Sequence, residues 1–139
     1  MLDTPRMDAA MDELFALHFH GCSNEIFLAA STDIYGCLTG FGEVCGTANA
    51  VHGTMRAIRQ AVQSDKAQYL WVAHNHPDNS PEPSRSDQIL TQRIATLARL
   101  LAVHFVDHRL FAAVRFHSIC HHAAPNAAFP ACHGAMRFL

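Results

Sequence analysis

The sequence is poor in charged residues and has no strong excess of either sign. Of its 139 residues 16% are charged, the formal net charge is −2 and the calculated pI is near 6.6. A face that binds nucleic acid normally carries clustered basic residues, so direct nucleic-acid binding is not expected. A role connected with DNA would have to come through a protein partner or a further domain.

Long apolar runs are also missing. No run approaches the roughly 18 residues that a membrane-spanning helix needs, so no membrane association is expected. Residues 1–12 include acidic positions and lack the basic-then-apolar pattern of a secretion signal. A cytoplasmic location is therefore expected.

Paired cysteines are a third absence. The five cysteines are odd in number and form no Cys-x-x-Cys pair. In a reducing compartment this predicts free thiols or small buried hydrophobic residues rather than a disulfide framework.

What is present predicts one layered domain, since half the residues are hydrophobic and the length suffices for a core. Apolar periodicity predicts helices at 8–19, 54–64 and 84–103, with Thr54 as a plausible N-cap. Strands are predicted at 25–30, 34–38, 68–73, 104–106 and 109–114, with a bend or bulge in the glycine-rich stretch 39–47. The alternation indicates an α/β or α+β domain over residues 1–119, followed by an irregular C-terminal tail at 120–139.

Histidine is abundant, with eleven residues where about three or four would be ordinary. The informative ones are His74 and His76, which leave a predicted strand, and they are followed by Asp87 in the first turn of a predicted helix. Two imidazoles and one carboxylate suit zinc and leave a fourth position for water, which is typical of a catalytic metal site. The alternatives are surface or capping histidines and an Asp87 that stabilises the helix dipole. The tail histidines match no familiar metal-site spacing.

Ser84 stands three residues before Asp87, the spacing of an acidic capping box. A purely structural role as helix N-cap and a role in the site are both compatible with this position. They can also coexist, because capping uses a lone pair and leaves the hydroxyl proton.

The segment His74-Asn75-His76-Pro77, continued by Pro83-Ser84-x-x-Asp87, closely resembles the JAMM (MPN-plus, or JAB) motif as found in the bacterial RadC family. The similarity covers about residues 25–119. It includes Gly46-Thr47, the stretch 56–61, Thr91, Arg93 and Asp107-His108, the last pair being read as buried and structural. It departs from the family pattern at 52–55 and at 78–79, away from the proposed ligands.

The resemblance implies a JAMM/MPN fold, a curved mixed β-sheet flanked by helices and similar to the cytidine deaminase-like fold. It also implies Zn²⁺ held by His74, His76 and Asp87, with Ser84 bonding the oxyanion or the metal's water. The family's general base is a glutamate that opens an early strand. Glu25 fits that place, and Glu43 is the alternative candidate for the general base.

Two functions follow as hypotheses. The first is a zinc metallohydrolase that cleaves peptide or isopeptide bonds in a polypeptide substrate. The alternative is a non-catalytic accessory or scaffold domain of the RadC type, which would bind a protein partner in DNA repair or recombination. A two-metal nuclease would need more carboxylates and a basic channel, and neither is visible.

Overall fold

The computed structural model describes residues 4–46, 50–78, 80, 82–112 and 115–122. Within these residues a five-stranded mixed sheet has the strand order β2-β1-β3-β4-β5. This confirms the expected architecture of a mixed sheet flanked by helices. The elements are α1 (Thr4–Phe19), β1 (Ile26–Thr32), β2 (Leu38–Cys45), α2 (Ala50–Ala61), β3 (Tyr69–Asn75), α3 (Arg85–Leu100), β4 (His104–Ala112), β5 (Arg115–Ser118) and α4 (Ile119–His122).

The connections of the sheet bring the end of β3 next to the start of α3. Strand β1 pairs antiparallel with both β2 and β3, whereas β3 and β4 are parallel. Parallel neighbours need a crossover, and α3 supplies it between β3 and β4. The loop from β3 to α3 therefore lies at the carboxyl end of the central strand, where polar side chains from both elements can meet.

Alternate residues of the central strands enter two separate cores. On one face Leu28 and Trp71 pack against α1 through side chains that recur every four residues, including Met7, Met11 and Phe15. On the other face the neighbouring strand residues pack against α2 and α3. Both faces of β1 and β3 are buried, which explains why these strands are almost wholly apolar.

Most of the glycine-rich stretch forms strand β2, with one bulge at its start. Gly40 and Gly42 lie in β2, and a Cβ on either would come within 1.9 or 2.0 Å of a backbone oxygen of Ala61 or Ala57. The glycines let α2 approach the strand closely. The predicted bulge is present at the start of this stretch, since Ser31 pairs with Gly40 and Thr32 with Leu38, which leaves Thr39 as the extra residue.

Three predictions about elements were wrong. Most of 34–38 is a turn, because the Asp33 carboxylate accepts from the backbone N–H groups of Tyr35 and Cys37 at 2.8 and 3.0 Å. Helix α2 begins at Ala50, so Thr54 lies inside it rather than capping it. The two segments predicted at 104–114 form one strand, β4, up to Ala112, because Asp107 and His108 are buried within the sheet instead of breaking it.

The predictions for cysteines and for the tail have mixed outcomes. Cys22, Cys37 and Cys45 are free thiols as expected, but Cys120 is disulfide-bonded, which contradicts the prediction for that residue. The described part of the predicted tail is the end of α4, and the rest lies outside the described residues. None of the described helices has the length and apolar character that crossing a bilayer requires.

Candidate metal centre

The last two residues of β3, His74 and Asn75, make different contacts. His74 is 3% exposed and faces the α2–α3 side of the sheet, toward Asp87. Asn75 accepts from the backbone N–H of Ile26 at 2.7 Å and donates to the carbonyl of Asn24 at 3.0 Å. These two bonds clamp the backbone on either side of Glu25 and so hold Glu25 beside the histidines.

Asp87 is fixed by the start of α3. Its backbone N–H donates to the Ser84 hydroxyl oxygen at 3.0 Å, and its carboxylate accepts from the Ser84 backbone N–H at 2.8 Å. This reciprocal capping box confirms the predicted helix start. It leaves the carboxylate oriented toward the end of β3.

His74, His76 and Asp87 come together as the sequence predicted. The two imidazole Nε2 atoms are 3.1 Å apart; His74 Nε2 is 3.2 Å from Oδ1 of Asp87, and His76 Nε2 is 3.2 Å from Oδ2. Ligand atoms bound tetrahedrally to zinc at about 2.0–2.1 Å are roughly 3.3 Å from one another. The observed separations are close to that value, with the two histidines facing different oxygens of the carboxylate.

A buried chain of hydrogen bonds determines which nitrogen of His74 carries a proton. The Thr91 hydroxyl donates to the carbonyl of Asp87 at 2.7 Å, so its oxygen must accept from His108 Nδ1, 2.6 Å away. His108 Nε2 is then the acceptor for His74 Nδ1 at 2.7 Å. With its proton on Nδ1, neutral His74 presents a lone pair on Nε2 to the site.

A single contact fixes the same tautomer in His76. Its Nδ1 lies 3.0 Å from the carbonyl oxygen of Ser80, which can only accept, so Nδ1 carries the proton. Its Nε2 lone pair then also faces the Asp87 carboxylate. Three acceptors thus converge with no donor among them, an arrangement that a positive charge, either a metal ion or a proton, stabilises. The donor set and its spacing fit a divalent metal ion.

Electrostatics show that this cluster favours a positive charge. Burial raises the pKa of Asp87, but where a proton on His74 supplies the missing charge, its hydrogen bond and charge, with the bonds from Ser84, outweigh burial and hold the pKa of Asp87 well below its usual value. Burial, with the neighbouring His74, lowers the pKa of His108 well below its usual value. Asp87 is therefore ionised and His108 neutral at physiological pH, as the hydrogen-bond chain requires.

The metal centre opens into a cleft of about 540 Å³. Glu25 lines this cleft together with His74, His76 and Asp87, and within the described residues its carboxylate has no hydrogen bond or ion pair. Glu43 is exposed on β2, opposite Leu28, and is not among the residues that line the cleft. The structure thus brings Glu25, and not Glu43, to the histidines.

Ser84 also lines the cleft, so its two predicted roles coincide in place. Its oxygen accepts from the Asp87 N–H, and no described acceptor takes its hydroxyl proton. That proton is available to a group bound in the cleft.

Sequence reasoning missed the supporting residues. Asp107-His108 was taken as a buried structural pair, and both are indeed buried, but the contact between His108 and His74 was not foreseen. A buried polar pair within an apolar strand was the available signal. Asn75 carried no signal of its own, because its clamp depends on the pairing of β1 with β3.

Comparison with known proteins places these observations in a family. The family described as "RadC-like JAB domain" matches residues 6–124. Similar proteins include a UPF0758 protein of Psychromonas ingrahamii, 30% identical over 72% of this chain and 45% of the relative. Another, from Xylella fastidiosa, is 33% identical over 68% of this chain and 42% of the relative. A third, from Actinobacillus succinogenes, is 41% identical over 45% of this chain and 29% of the relative. The chain spans less than half the length of these relatives, whose names state no activity.

Proposed function

The chain belongs to the family of RadC-like JAB domains, and on that premise we propose that it is a zinc-dependent hydrolase of peptide or isopeptide bonds. The observation that carries the proposal is the convergence of three lone pairs, from His74, His76 and Asp87, in an open cleft. The mixed sheet with flanking helices is consistent with a JAB/MPN fold.

The residues present suit zinc. Two imidazoles and one carboxylate are a frequent catalytic zinc set, and three protein ligands leave a further position open toward the cleft. When bound, zinc supplies an acidified water and polarises the carbonyl that is attacked.

Glu25 is the proposed general base. Its carboxylate accepts a proton from the attacking water and later gives it to the nitrogen of the leaving amine. The clamp of Asn75 on the backbone of Asn24 and Ile26 keeps the carboxylate in place. Its position half-buried in the cleft, without a competing partner, supports this role.

Ser84 is proposed to stabilise the oxyanion. Its hydroxyl proton donates to the oxygen that becomes negative as the carbonyl is attacked. The capping bond from Asp87 holds the Ser84 oxygen while leaving this proton free.

The test compares zinc-loaded wild type with Glu25→Gln on linear peptides and on branched peptides joined through a lysine side chain. We expect a roughly 10²- to 10⁴-fold loss of kcat in Glu25→Gln, the usual contribution of a general base, and no loss in the exposed control Glu43→Gln. A wild type that binds one zinc yet cleaves none of these substrates would contradict the proposal, as would full activity in Glu25→Gln.

A scaffold role in DNA repair or recombination is the second candidate, and one surface favours it. Strand β2 is an edge of the sheet, its first residue Leu38 is exposed, and so are Ile34 and Tyr35 in the turn before it. An open edge beside apolar side chains is suited to a protein partner. An inactive but zinc-loaded protein whose partner binding is lost in Tyr35→Ser would place this role first.

A further inference from the structure

One face of α3 extends the cleft away from the metal centre. Ser86, Ile89, Leu90 and Arg93 recur at helical spacing and line the same cleft as His74 and Asp87. Thr54 of α2 and Phe27 of β1 line it as well. The result is a largely apolar groove between α2 and α3 that leads from the metal centre toward Arg93.

Arg93 is the one arginine or lysine among the described residues that line this cleft. Its side chain is exposed and has no hydrogen bond or ion pair with any described residue. Arg109, by contrast, is paired with Asp8, Asp12 and Asp107. An unpaired guanidinium in a substrate cleft is suited to a carboxylate, which it binds through two parallel hydrogen bonds.

A second cleft adjoins the first and shares Glu25, His76 and Ser84 with it. It is also lined by Asp78 and Glu82, and its described lining contains no lysine or arginine. The positive charge therefore lies on the α3 side of the metal centre, and the adjoining cleft is acidic. A substrate that crosses the centre would be oriented with its negative end toward α3.

We propose that Arg93 forms a subsite for a carboxylate of the substrate, so that the enzyme prefers peptides with a negative group on the α2–α3 side of the bond that is cut. This subsite rests on the proposed hydrolase function. Arg93 lies six positions after Asp87 in α3, which is about 9 Å along the helix axis. An extended peptide covers that distance in two to three residues, at about 3.3 Å each. The carboxylate therefore belongs two or three residues from the scissile bond, either as an acidic side chain or as a free C-terminus.

The experiment uses the zinc-loaded chain and hexapeptides that are capped at both ends. In each peptide a single Glu occupies a different position, and a matched peptide, its Gln twin, has Gln in place of that Glu. We expect Arg93→Gln to lower kcat/KM about 10- to 100-fold for the best Glu peptide, the range of a lost charged hydrogen bond, and to leave its Gln twin unchanged. Arg99→Gln is the matched control, because Arg99 is exposed on the same helix and does not line the cleft. Equal effects of Arg93→Gln on both peptides, or an equal loss in Arg99→Gln, would overturn the subsite.

Two further measurements distinguish failure of the subsite from failure of the proposed hydrolase function. Gln peptides with a free C-terminus, tested at several lengths, show whether a terminal carboxylate replaces the Glu side chain. Binding of the same peptides to Glu25→Gln is followed by NMR of the α3 amides. If no peptide is cleaved but binding of the Glu peptide still depends on Arg93, the hydrolase is wrong and the subsite is right. If neither cleavage nor binding distinguishes Glu from Gln, the subsite is wrong.

Discussion

Two buried polar clusters lie on opposite faces of the same sheet and are built differently. On the α1 face, Arg109 donates to Asp8, Asp12 and Asp107, so this cluster contains its own cation. On the α2–α3 face, His74, His76 and Asp87 present three acceptors to one another with no donor among them. His108 and Arg109, neighbours in β4, reach the two clusters from the same strand.

The difference shows that burial of polar groups does not by itself mark a functional site. The α1 cluster holds the helix to the sheet, with Trp71 Nε1 also donating to Asp8 at 3.3 Å. The metal centre is instead incomplete without an added positive charge. The variants below are expected to separate a cluster that stabilises the fold from one that binds a metal ion.

The largest expected effect is the loss of zinc when a ligand is removed. His76→Ala and Asp87→Ala should each weaken zinc binding by more than about 100-fold, beyond the 10- to 100-fold typical of changes to residues that only support a ligand. Calorimetric titration after chelation measures this, with His104→Ala, an exposed histidine on β4, as control. We also expect zinc-free His76→Ala to keep its stability within about 1 kcal/mol. Zinc affinity equal to wild type in both ligand variants would show that His76 and Asp87 do not bind the zinc.

Breaking the α1 cluster should lower the stability of the fold and leave zinc binding intact. Arg109→Met leaves Asp8, Asp12 and Asp107 without their cation, and a broken buried ion pair typically destabilises by about 3–5 kcal/mol. Urea unfolding at neutral pH measures the loss, and the remaining native protein should still bind one zinc per chain. A stable Arg109→Met protein that no longer binds zinc would reverse the roles assigned to the two clusters.

A smaller effect is expected from the hydrogen-bond chain behind His74. Thr91→Val removes the acceptor for His108 Nδ1, so His108 can carry its proton on Nε2 and point it at His74. His74 would then lose the tautomer that binds metal, and zinc affinity should fall about 10- to 100-fold. Thr91→Ser keeps the hydroxyl and should retain near wild-type affinity. Nitrogen NMR of the histidine rings reports the tautomer directly, and an unchanged His74 tautomer in Thr91→Val would contradict the chain.

The smallest effect concerns pH. Burial raises the pKa of Asp12 from 3.8 to about 6 in spite of the Arg109 charge, which lowers it. A raised carboxyl pKa means that the folded state binds protons more tightly, so this group's contribution to stability is lost as pH rises from about 4 to above 6. Asp12→Asn should match wild type near pH 4 and exceed its stability by about 1–3 kcal/mol at pH 7.5. Urea titrations at both pH values test this, and a variant less stable than wild type at pH 7.5 would contradict the assignment.

The sequence predicted the candidate metal ligands and most elements because both depend on local pattern. His74, His76 and Asp87 stand at the junction of a strongly apolar strand and a well-capped helix, and such junctions can be recognised without tertiary contacts. The course of β2 could not be predicted, since Gly40 and Gly42 are required by the approach of α2, which is distant in sequence. The supporting roles of His108 and Asn75 likewise depend on strand pairing.

The most direct test of the central claim is X-ray absorption at the zinc edge on the chain loaded with one equivalent of zinc. We predict two imidazole nitrogens at about 2.0–2.1 Å with carboxylate and water oxygens completing four-coordination, and loss of one imidazole in His76→Ala. A first shell with sulfur, with three or more imidazoles, or with no change in His76→Ala would show that zinc binds elsewhere in the chain.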